Sequence, residues 1–166
     1  MSQAHPTWTL PLESGALILM PCPGTKQATL DASMAQLAKQ GVTIIVTAIS
    51  DAEMAEKGVA ELGAVAQQHG MTWFHAPIED DCAPGEAFLA TWQTFNAQLK
   101  QALQGEQKVA LHCMGGSGRT GLLAAHLLLE LGWSLDNIIT EVQALRPGAF
   151  TKPVQLEYIQ KVANQG

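Results

Sequence analysis

A cysteine and an arginine stand at the two ends of a glycine-rich segment, His112-Cys113-Met114-Gly115-Gly116-Ser117-Gly118-Arg119-Thr120. Closely spaced glycines let the backbone curl so that successive N–H groups point inward, and such a nest binds anions. The residues between Cys113 and Arg119 suffice to bring the guanidinium round to face the sulfur, where arginine can grip two phosphate oxygens. A phosphate group is therefore predicted to lie against six residues: Met114, Gly115, Gly116, Ser117, Gly118 and Arg119.

Cys113 is the predicted nucleophile. The positive end of the helix that should follow the loop, together with inward N–H donors, favours an ionised sulfur near neutral pH. A thiolate can attack phosphorus in line and form a phosphocysteine, while Arg119 and the amides stabilise charge on the equatorial oxygens. Thr120 is predicted to donate its hydroxyl to the sulfur in the second step. This chemistry requires neither a metal ion nor an organic cofactor.

Two further roles accompany this loop. The leaving group needs a proton, and three acids, Glu79, Asp80 and Asp81, follow the third predicted strand, whose carboxyl end should lie beside that of the fourth. Asp80 is the predicted general acid, with Asp81 as the alternative and a merely solvated acidic turn as the simpler explanation. His112 is predicted to be a buried hydrogen-bonding partner that shapes the loop rather than a proton shuttle.

Short apolar, β-branched runs alternate with segments of helical period, which indicates an α/β domain whose sheet of four to five strands is mostly parallel and flanked by helices. Strands are predicted at residues 16–20, 42–49, 72–77 and 108–113. Helices are predicted at residues 29–40, 51–69, 86–103, 120–131, 134–145 and 153–163. The apolar positions of the third helix should pack in the core, and they are Phe88, Trp92, Phe95, Leu99 and Leu103.

Length and composition predict a single domain over residues 1–166, with residues 1–14 as an N-terminal extension. A net charge of −6 without a basic run argues against nucleic acid and anionic membranes as partners. No apolar stretch reaches the length of a membrane span or a signal peptide. Three widely spaced cysteines fit a reducing compartment, so a cytoplasmic protein is predicted.

The segment His112–Thr120 matches the HCxxGxxR[ST] signature of the cysteine-dependent protein tyrosine phosphatase superfamily, and residues 77–80 resemble the acid loop of its dual-specificity branch. Over residues 15–158 the chain is most similar to kinase-associated phosphatases. The resemblance implies a compact phosphatase fold, a Cys113 nucleophile, a phosphate-gripping Arg119 and a general acid at Asp80. It also implies activity on phosphotyrosine in proteins, with phosphothreonine and phosphoserine as further candidates.

The chain departs from the large tyrosine-specific enzymes in two respects. Thr151 stands where those enzymes carry a water-positioning glutamine, which leaves Gln155 as the nearby supporting amide. No segment resembles their tyrosine-recognition loop, and this predicts a shallow site open to several phosphorylated side chains. The loop also lacks the extra basic residues of lipid phosphatases, which argues against highly charged inositol phosphates.

Three alternatives remain open. The loop could be a phosphate- or phosphoprotein-binding module with little turnover. Gly116-x-Gly118-x-x-Gly121 also fits a dinucleotide-binding fingerprint, but the acidic residue expected about 20 positions on falls in helical sequence. Cys82 lies close enough in sequence to the acids to suggest a reversible disulfide with an oxidised Cys113. The physiological substrate and the oligomeric state are not predicted.

Overall fold

Five strands form one sheet in a computed structural model that describes residues 4–26 and 28–165. The strands are β1 (Trp8–Pro11), β2 (Ala16–Met20), β3 (Val42–Thr47), β4 (Thr72–His75) and β5 (Lys108–His112). Their order is β1-β2-β5-β3-β4, with β1 antiparallel to β2 and the other neighbouring pairs parallel. The predicted fold class, an α/β domain with a mostly parallel sheet, is confirmed.

Strand β1 is the element that the sequence does not predict, and it lies in the segment assigned above to an N-terminal extension. Its sequence is Trp-Thr-Leu-Pro, in which Leu10 alone is fully buried, so it lacks a long apolar run. The proline suits an edge strand, because an edge does not need every N–H donor. Strands β3 and β4 end two residues earlier than predicted and β5 one residue earlier, where the chain turns into the loops that form the site.

Helices connect and follow the strands. In the described part of the chain they are α1 (Leu30–Lys39), α2 (Asp51–Glu56), α3 (Leu62–Gln68), α4 (Glu86–Gln93), α5 (Asn96–Gln104), α6 (Gly118–Glu130), α7 (Leu135–Leu145) and α8 (Pro153–Gln165). The single helix predicted at residues 51–69 is wrong, because Gly58 takes a φ of +74° and ends α2. The helix predicted to start after Gly85 is also divided, at Thr94 and Phe95, yet its predicted apolar positions are all buried.

The direction of the chain between strands decides which face of the sheet each helix covers. From β2 to β3 and on to β4 the chain moves one way across the sheet, and from β4 to β5 it moves back. Right-handed crossovers therefore put α1 to α3 on one face and α4 and α5 on the other. Helix α6 packs against β2, β5 and α5, and every residue from Arg119 to Leu128 is buried. Such a helix holds its own N-terminus rigidly in place.

The four parallel strands point their carboxyl ends to one edge of the sheet. The described segments that leave this edge are residues 21–26 and 28–29 after β2, 48–50 after β3, 76–85 after β4 and 113–117 after β5. Because β5 lies between β2 and β3, the loop after β5 leaves from the middle of this edge, where open α/β sheets bind ligands. Among residues 4–26 and 28–165, no helix is both long and apolar enough to cross a membrane.

Candidate active site

The loop of residues 113–119 joins β5 to α6, and its shape depends on glycine. Gly116 has a φ of +83°, and a Cβ atom there would lie 2.6 Å from the backbone carbon of Met20. No other residue fits so close to β2 without a backbone shift. A Cβ atom on Gly115 would meet nothing within 4 Å, so this position lacks a side chain on the open side of the loop. The glycines thus let the loop curl tightly against the sheet and leave its mouth clear.

The sulfur of Cys113 lies at the bottom of this loop, with 3% of the residue exposed. The Gly116 N–H donates to Sγ at 3.3 Å, and the Thr120 hydroxyl donates to it at 3.1 Å. Both donors favour negative charge on sulfur, as does the N-terminus of α6 close by. Thr120 therefore lies where the sequence places it, within reach of the sulfur.

Arg119 is buried, and a carboxylate from another helix holds its guanidinium. Its Nη1 donates to Glu53 Oε1 at 2.8 Å and its Nη2 to Oε2 at 2.9 Å, while Nη1 also donates to the carbonyl of Ile78 at 3.0 Å. Burial lowers the pKa of Arg119, but the Glu53 hydrogen bonds and the surrounding negative charges outweigh it and raise the pKa above its ordinary value. Among the described residues, its Nε–H and the second Nη2–H make no hydrogen bond, so two donors remain for an anion.

Glu53 is a functional residue that sequence reasoning missed. The Arg119 hydrogen bonds lower its pKa, which keeps it ionised. Its Oε1 also accepts the backbone N–H of Ser50 at 3.1 Å, and the Ser50 hydroxyl in turn accepts the Glu53 N–H at 3.1 Å. This capping box at the start of α2 fixes the position of the carboxylate independently of Arg119. The Ser-x-x-Glu pattern is visible in the sequence, but it signals a helix start and not a contact with Arg119.

His112 lies under the loop in a chain of hydrogen bonds. The carbonyl of Cys113 can only accept, so His112 Nδ1 carries the hydrogen and donates to it at 3.0 Å. In a neutral ring Nε2 is then an acceptor, and it accepts the Thr47 hydroxyl at 2.7 Å, while Thr47 Oγ1 accepts the Trp73 indole N–H at 2.8 Å. Burial lowers the pKa of His112 to about 4, so the ring is neutral at physiological pH. These contacts orient the loop backbone.

The acids of the 78–85 loop point in different directions. Asp80 Oδ1 lies 3.5 Å from Arg119 Nη2 and accepts the N–H of Asp81 at 3.0 Å. Asp81 has a φ of +60°, and its carboxylate pairs with Lys152 Nζ at 3.3 Å. Asp80 therefore faces the guanidinium across the site, whereas Asp81 faces the start of α8. Both remain well exposed, with 69% and 65% of their side chains accessible.

Helix α8 contributes an amide to the site. Gln155 is 1% exposed, and its Nε2 donates to the carbonyl of Cys82 at 3.1 Å. Its Oε1 has no hydrogen-bond partner within the described ranges, and a Cβ atom on Gly118 would lie 3.2 Å from it. This oxygen is thus an acceptor beside the start of α6. The hydroxyl of Thr151, the residue in the glutamine position noted above, donates to Gly148 at 2.8 Å.

These groups surround one cavity of about 480 Å³. It is lined by Asp80, Asp81, Cys113, Met114, Gly115, Ser117, Gly118, Arg119, Gly148, Thr151, Lys152 and Gln155. The lining brings together a sulfur, a guanidinium, two carboxylates and an amide oxygen. Of the predicted loop residues, Gly116 contributes its backbone N–H to the sulfur rather than a surface to the cavity.

The other two cysteines differ from Cys113. Cys22 is fully buried, and burial raises its pKa to about 12, so it remains a protonated thiol. Cys82 is half-buried in the 78–85 loop, where its carbonyl is held by Gln155. A disulfide between Cys82 and an oxidised Cys113 stays a prediction.

Comparison of the amino-acid sequence with known proteins shows that the chain is similar to phosphatases. Residues 19–132 match the family described as "Tc-R-P: Polymorphic toxin system, DSP-PTPase phosphatase". The chain is 31% identical over 136 residues to protein tyrosine phosphatase type IVA 2 of Mus musculus, covering 81% of this chain and 74% of that one. It is also 31% identical over 101 residues to cyclin-dependent kinase inhibitor 3 of Rattus norvegicus, covering 61% and 46%.

A solved structure agrees over nearly the whole chain. It is a kinase associated phosphatase whose catalytic site cysteine is substituted by serine, with a TM-score of 0.88 and 26% identity, and the match covers 99% of this chain and 97% of that one. A second structure, Tk-PTP in its active form, matches with a TM-score of 0.71 at 23% identity, covering 93% and 95%, and shows the shared fold.

Proposed function

This chain belongs to the DSP-PTPase family of dual-specificity and tyrosine phosphatases, and we propose that it hydrolyses phosphate monoesters on proteins through a phosphocysteine intermediate. One observation carries the assignment of roles: Cys113 and Arg119, the two ends of one curled loop, line the same cavity, and Arg119 keeps two N–H donors that Glu53 and Ile78 do not use. A tetrahedral anion bound between them meets inward amides, a guanidinium and a nucleophile together.

In the first step the Cys113 thiolate attacks phosphorus, so that an S–P bond forms while the P–O bond to the leaving group breaks. Arg119 keeps its charge and position through Glu53 and offers Nε–H and Nη2–H to two phosphate oxygens. Asp80, on the Arg119 side of the cavity, gives its proton to the departing oxygen. Each charge that develops then has a partner of opposite sign in place.

In the second step water attacks the phosphocysteine, the S–P bond breaks and inorganic phosphate is released. The Asp80 carboxylate takes the proton of that water. The buried Oε1 of Gln155 is an acceptor without a donor, and it would orient the same water. The Thr120 hydroxyl, 3.1 Å from the sulfur, stabilises the thiolate as it leaves.

Phosphotyrosine is the proposed main substrate, with phosphothreonine and phosphoserine also able to enter. The names of the type IVA 2 relative and of the matched kinase associated phosphatase support a phosphorylated protein as substrate. Lys152 and Arg119 are the cations that line the cavity in the part of the chain described here. This small positive charge suits a single phosphate group better than a highly phosphorylated headgroup.

A direct test is turnover of p-nitrophenyl phosphate in EDTA, followed by phosphotyrosine, phosphoserine and phosphothreonine peptides, with phosphoinositides as a further arm. Cys113→Ser should abolish turnover but keep phosphate binding, because the hydroxyl occupies the same place without the thiolate's reactivity. Vanadate should inhibit the wild type as a mimic of the transition state. If Cys113→Ser turned over as fast as the wild type, the proposed nucleophile would be wrong.

A second candidate function follows if hydrolysis of the phosphocysteine, the second step, is slow. The Thr151 hydroxyl is already bonded to Gly148, so Gln155 alone is left to position water. The protein would then act mainly as a phosphate- or phosphoprotein-binding module that turns over rarely. Rapid-mixing kinetics separate the two: a burst of p-nitrophenol equal to the enzyme concentration, followed by a slow phase, would identify this behaviour.

A further inference from the structure

The outer side of the 113–119 loop carries carbonyl oxygens that need partners. An anion nest turns its N–H groups inward, so its C=O groups must point outward, and unpaired ones would let the loop relax. In this chain the carbonyls of Gly115 and Gly116 both accept from one side chain, that of Arg146. Its Nη2 donates to Gly115 at 2.9 Å and its Nε to Gly116 at 3.1 Å.

The two arginines of the sequence thus both belong to the structure of this loop: Arg119 ends it, with its guanidinium held by Glu53, and Arg146 binds its outer carbonyls. Only a planar guanidinium can bridge two neighbouring carbonyls with N–H groups of fixed separation, whereas a lysine ammonium is a single point. The hydrogen bonds from a charged donor also polarise the two peptide groups, which strengthens their inward N–H dipoles.

The position of Arg146 is fixed on two sides. It follows α7, and Pro147 after it disfavours a helical conformation, so its φ and ψ are −131° and 89° and its side chain leaves the helix axis. The guanidinium carbon then lies 3.9 Å from the centre of the Trp8 ring. Trp8 belongs to β1, whose backbone pairs with β2 in the sheet. The face of the Trp8 ring therefore packs against the guanidinium that donates hydrogen bonds to the loop.

We infer that Arg146, held by Trp8, is a positioning residue for the 113–119 loop, and that the edge strand β1 serves catalysis through this contact. The inference rests on the function proposed above. Arg146 does not line the cavity; it keeps the amides that would bind phosphate turned inward. Its loss should weaken anion binding and slow the reaction together.

Turnover is the first measurement. Arg146→Met keeps the length and apolar stem of the side chain, and we expect kcat/KM for p-nitrophenyl phosphate to fall by about 10- to 100-fold, as small misplacements of binding groups do. Arg146→Lys should restore only part of this loss, since charge returns without the two-pronged geometry. Lys39→Met, which removes the same charge from the exposed end of α1, is the matched control and should keep wild-type activity.

Phosphate binding by calorimetry, measured in the Cys113→Ser background, separates this inference from the proposed function. No turnover is needed there, and Arg146→Met should weaken binding of inorganic phosphate by about tenfold. Absence of turnover in the wild type would count against the proposed function alone. Unchanged phosphate affinity and unchanged kcat/KM in Arg146→Met would overturn the positioning role.

A double-mutant cycle tests the part played by Trp8. Trp8→Leu should lower kcat/KM about fivefold through loss of the cation–π contact, and Trp8→Phe should keep most of the activity. In the Arg146→Met background Trp8→Leu should cost nothing further, because the contact it removes is already gone. Additive losses would mean that Trp8 acts only on the stability of β1, and urea unfolding of both single variants would show that directly.

Discussion

The two loops that face each other across the cavity are built in opposite ways. In the 113–119 loop Cys113, Gly116 and Arg119 are buried, and charged or polar side chains from three other elements hold it: Glu53 on α2, Thr47 on β3 through His112, and Arg146 after α7. The 78–85 loop is more exposed. At its start Ile78 is hydrogen-bonded to Ala48 and Arg119, and beyond it the contacts are a hydrogen bond from the Gln155 amide and ion pairs of Asp80 with Arg119 and of Asp81 with Lys152.

The difference follows from what each loop has to do. Charge on a phosphoryl group is stabilised best by donors that do not have to reorganise, so the loop that binds it benefits from rigidity. A proton donor must reach the leaving group and later accept a proton from water, and substrate has to enter beside it. Few contacts and high exposure allow such movement. We expect substitutions in the first loop to act on binding and chemistry together and those in the second to act on the proton step.

Arg119→Lys should give the largest effect, and it tests the rigid 113–119 loop. A lysine can keep one contact with Glu53, but it cannot offer Nε–H and Nη2–H to two phosphate oxygens at once. We expect kcat/KM to fall by about 1,000-fold, with vanadate inhibition weakened in parallel. Steady-state kinetics with a vanadate titration measures both, and circular dichroism checks the fold. A loss smaller than tenfold would show that charge alone, rather than the fork, binds the anion.

Asp80→Asn should give the next largest effect, and it tests the proton donor of the 78–85 loop. A general acid matters most when the leaving group is a poor one, so we expect kcat to fall about 100-fold for a phosphotyrosine peptide and much less for p-nitrophenyl phosphate. Asp81→Asn is the matched control, because Asp81 pairs with Lys152 and not with Arg119. If Asp81→Asn proved the more damaging of the two, the acid would be Asp81.

The same contrast decides what the sequence reveals. The 113–119 loop is contiguous, so its glycines, cysteine and arginine signal a phosphate site between a strand and a helix without knowledge of the fold. Its supports are remote: Glu53 lies 66 residues from Arg119, and Arg146 lies 30 residues from Gly116. Nothing in their own neighbourhoods announces these contacts, because crossovers of the chain bring them together.

Local pattern also explains the errors in the fold. Residues 51–69 have a helical composition throughout, but tertiary packing lets Gly58 break the helix, and propensity alone does not reveal such a break. Strand β1 is short, has one buried side chain and ends on a proline, so it carries little of the alternation that marks a strand. The Arg146 guanidinium packs on Trp8 of this strand. A reader of the sequence who misses the strand therefore also misses the contact that places Arg146.

A pH-dependent loss of stability should follow from the histidines that the fold keeps neutral. Burial lowers the pKa of His112 and of His126 to about 4, so between pH 6.5 and 4 the unfolded chain binds protons that the folded one does not. Stability should therefore be complete above pH 6.5 and decline as the pH falls. At pH 5 the free energy of unfolding should be lower by about 2 kcal/mol for each ring.

Urea unfolding at pH 7 and pH 5 measures this loss. The His126 ring is hydrogen-bonded to the Tyr158 hydroxyl between α6 and α8, so His126→Gln should remove its share and leave that of His112 beneath the loop. Equal unfolding free energies at the two pH values in the wild type would contradict neutral histidines, and with them the direction of the hydrogen bond from the Thr47 hydroxyl to His112 Nε2.

Lys152→Met should give the smallest effect and would show how loosely the 78–85 loop is held. The Lys152 pair with Asp81 is exposed on both sides, and such pairs contribute from nothing to about 1 kcal/mol, so we expect kcat to change by no more than about threefold. High salt should reduce the difference from the wild type, because exposed charges are screened. Lys161→Met, an exposed cation farther along α8, is the matched control. A large rise in KM for phosphopeptides with kcat unchanged would instead mean that Lys152 binds the substrate.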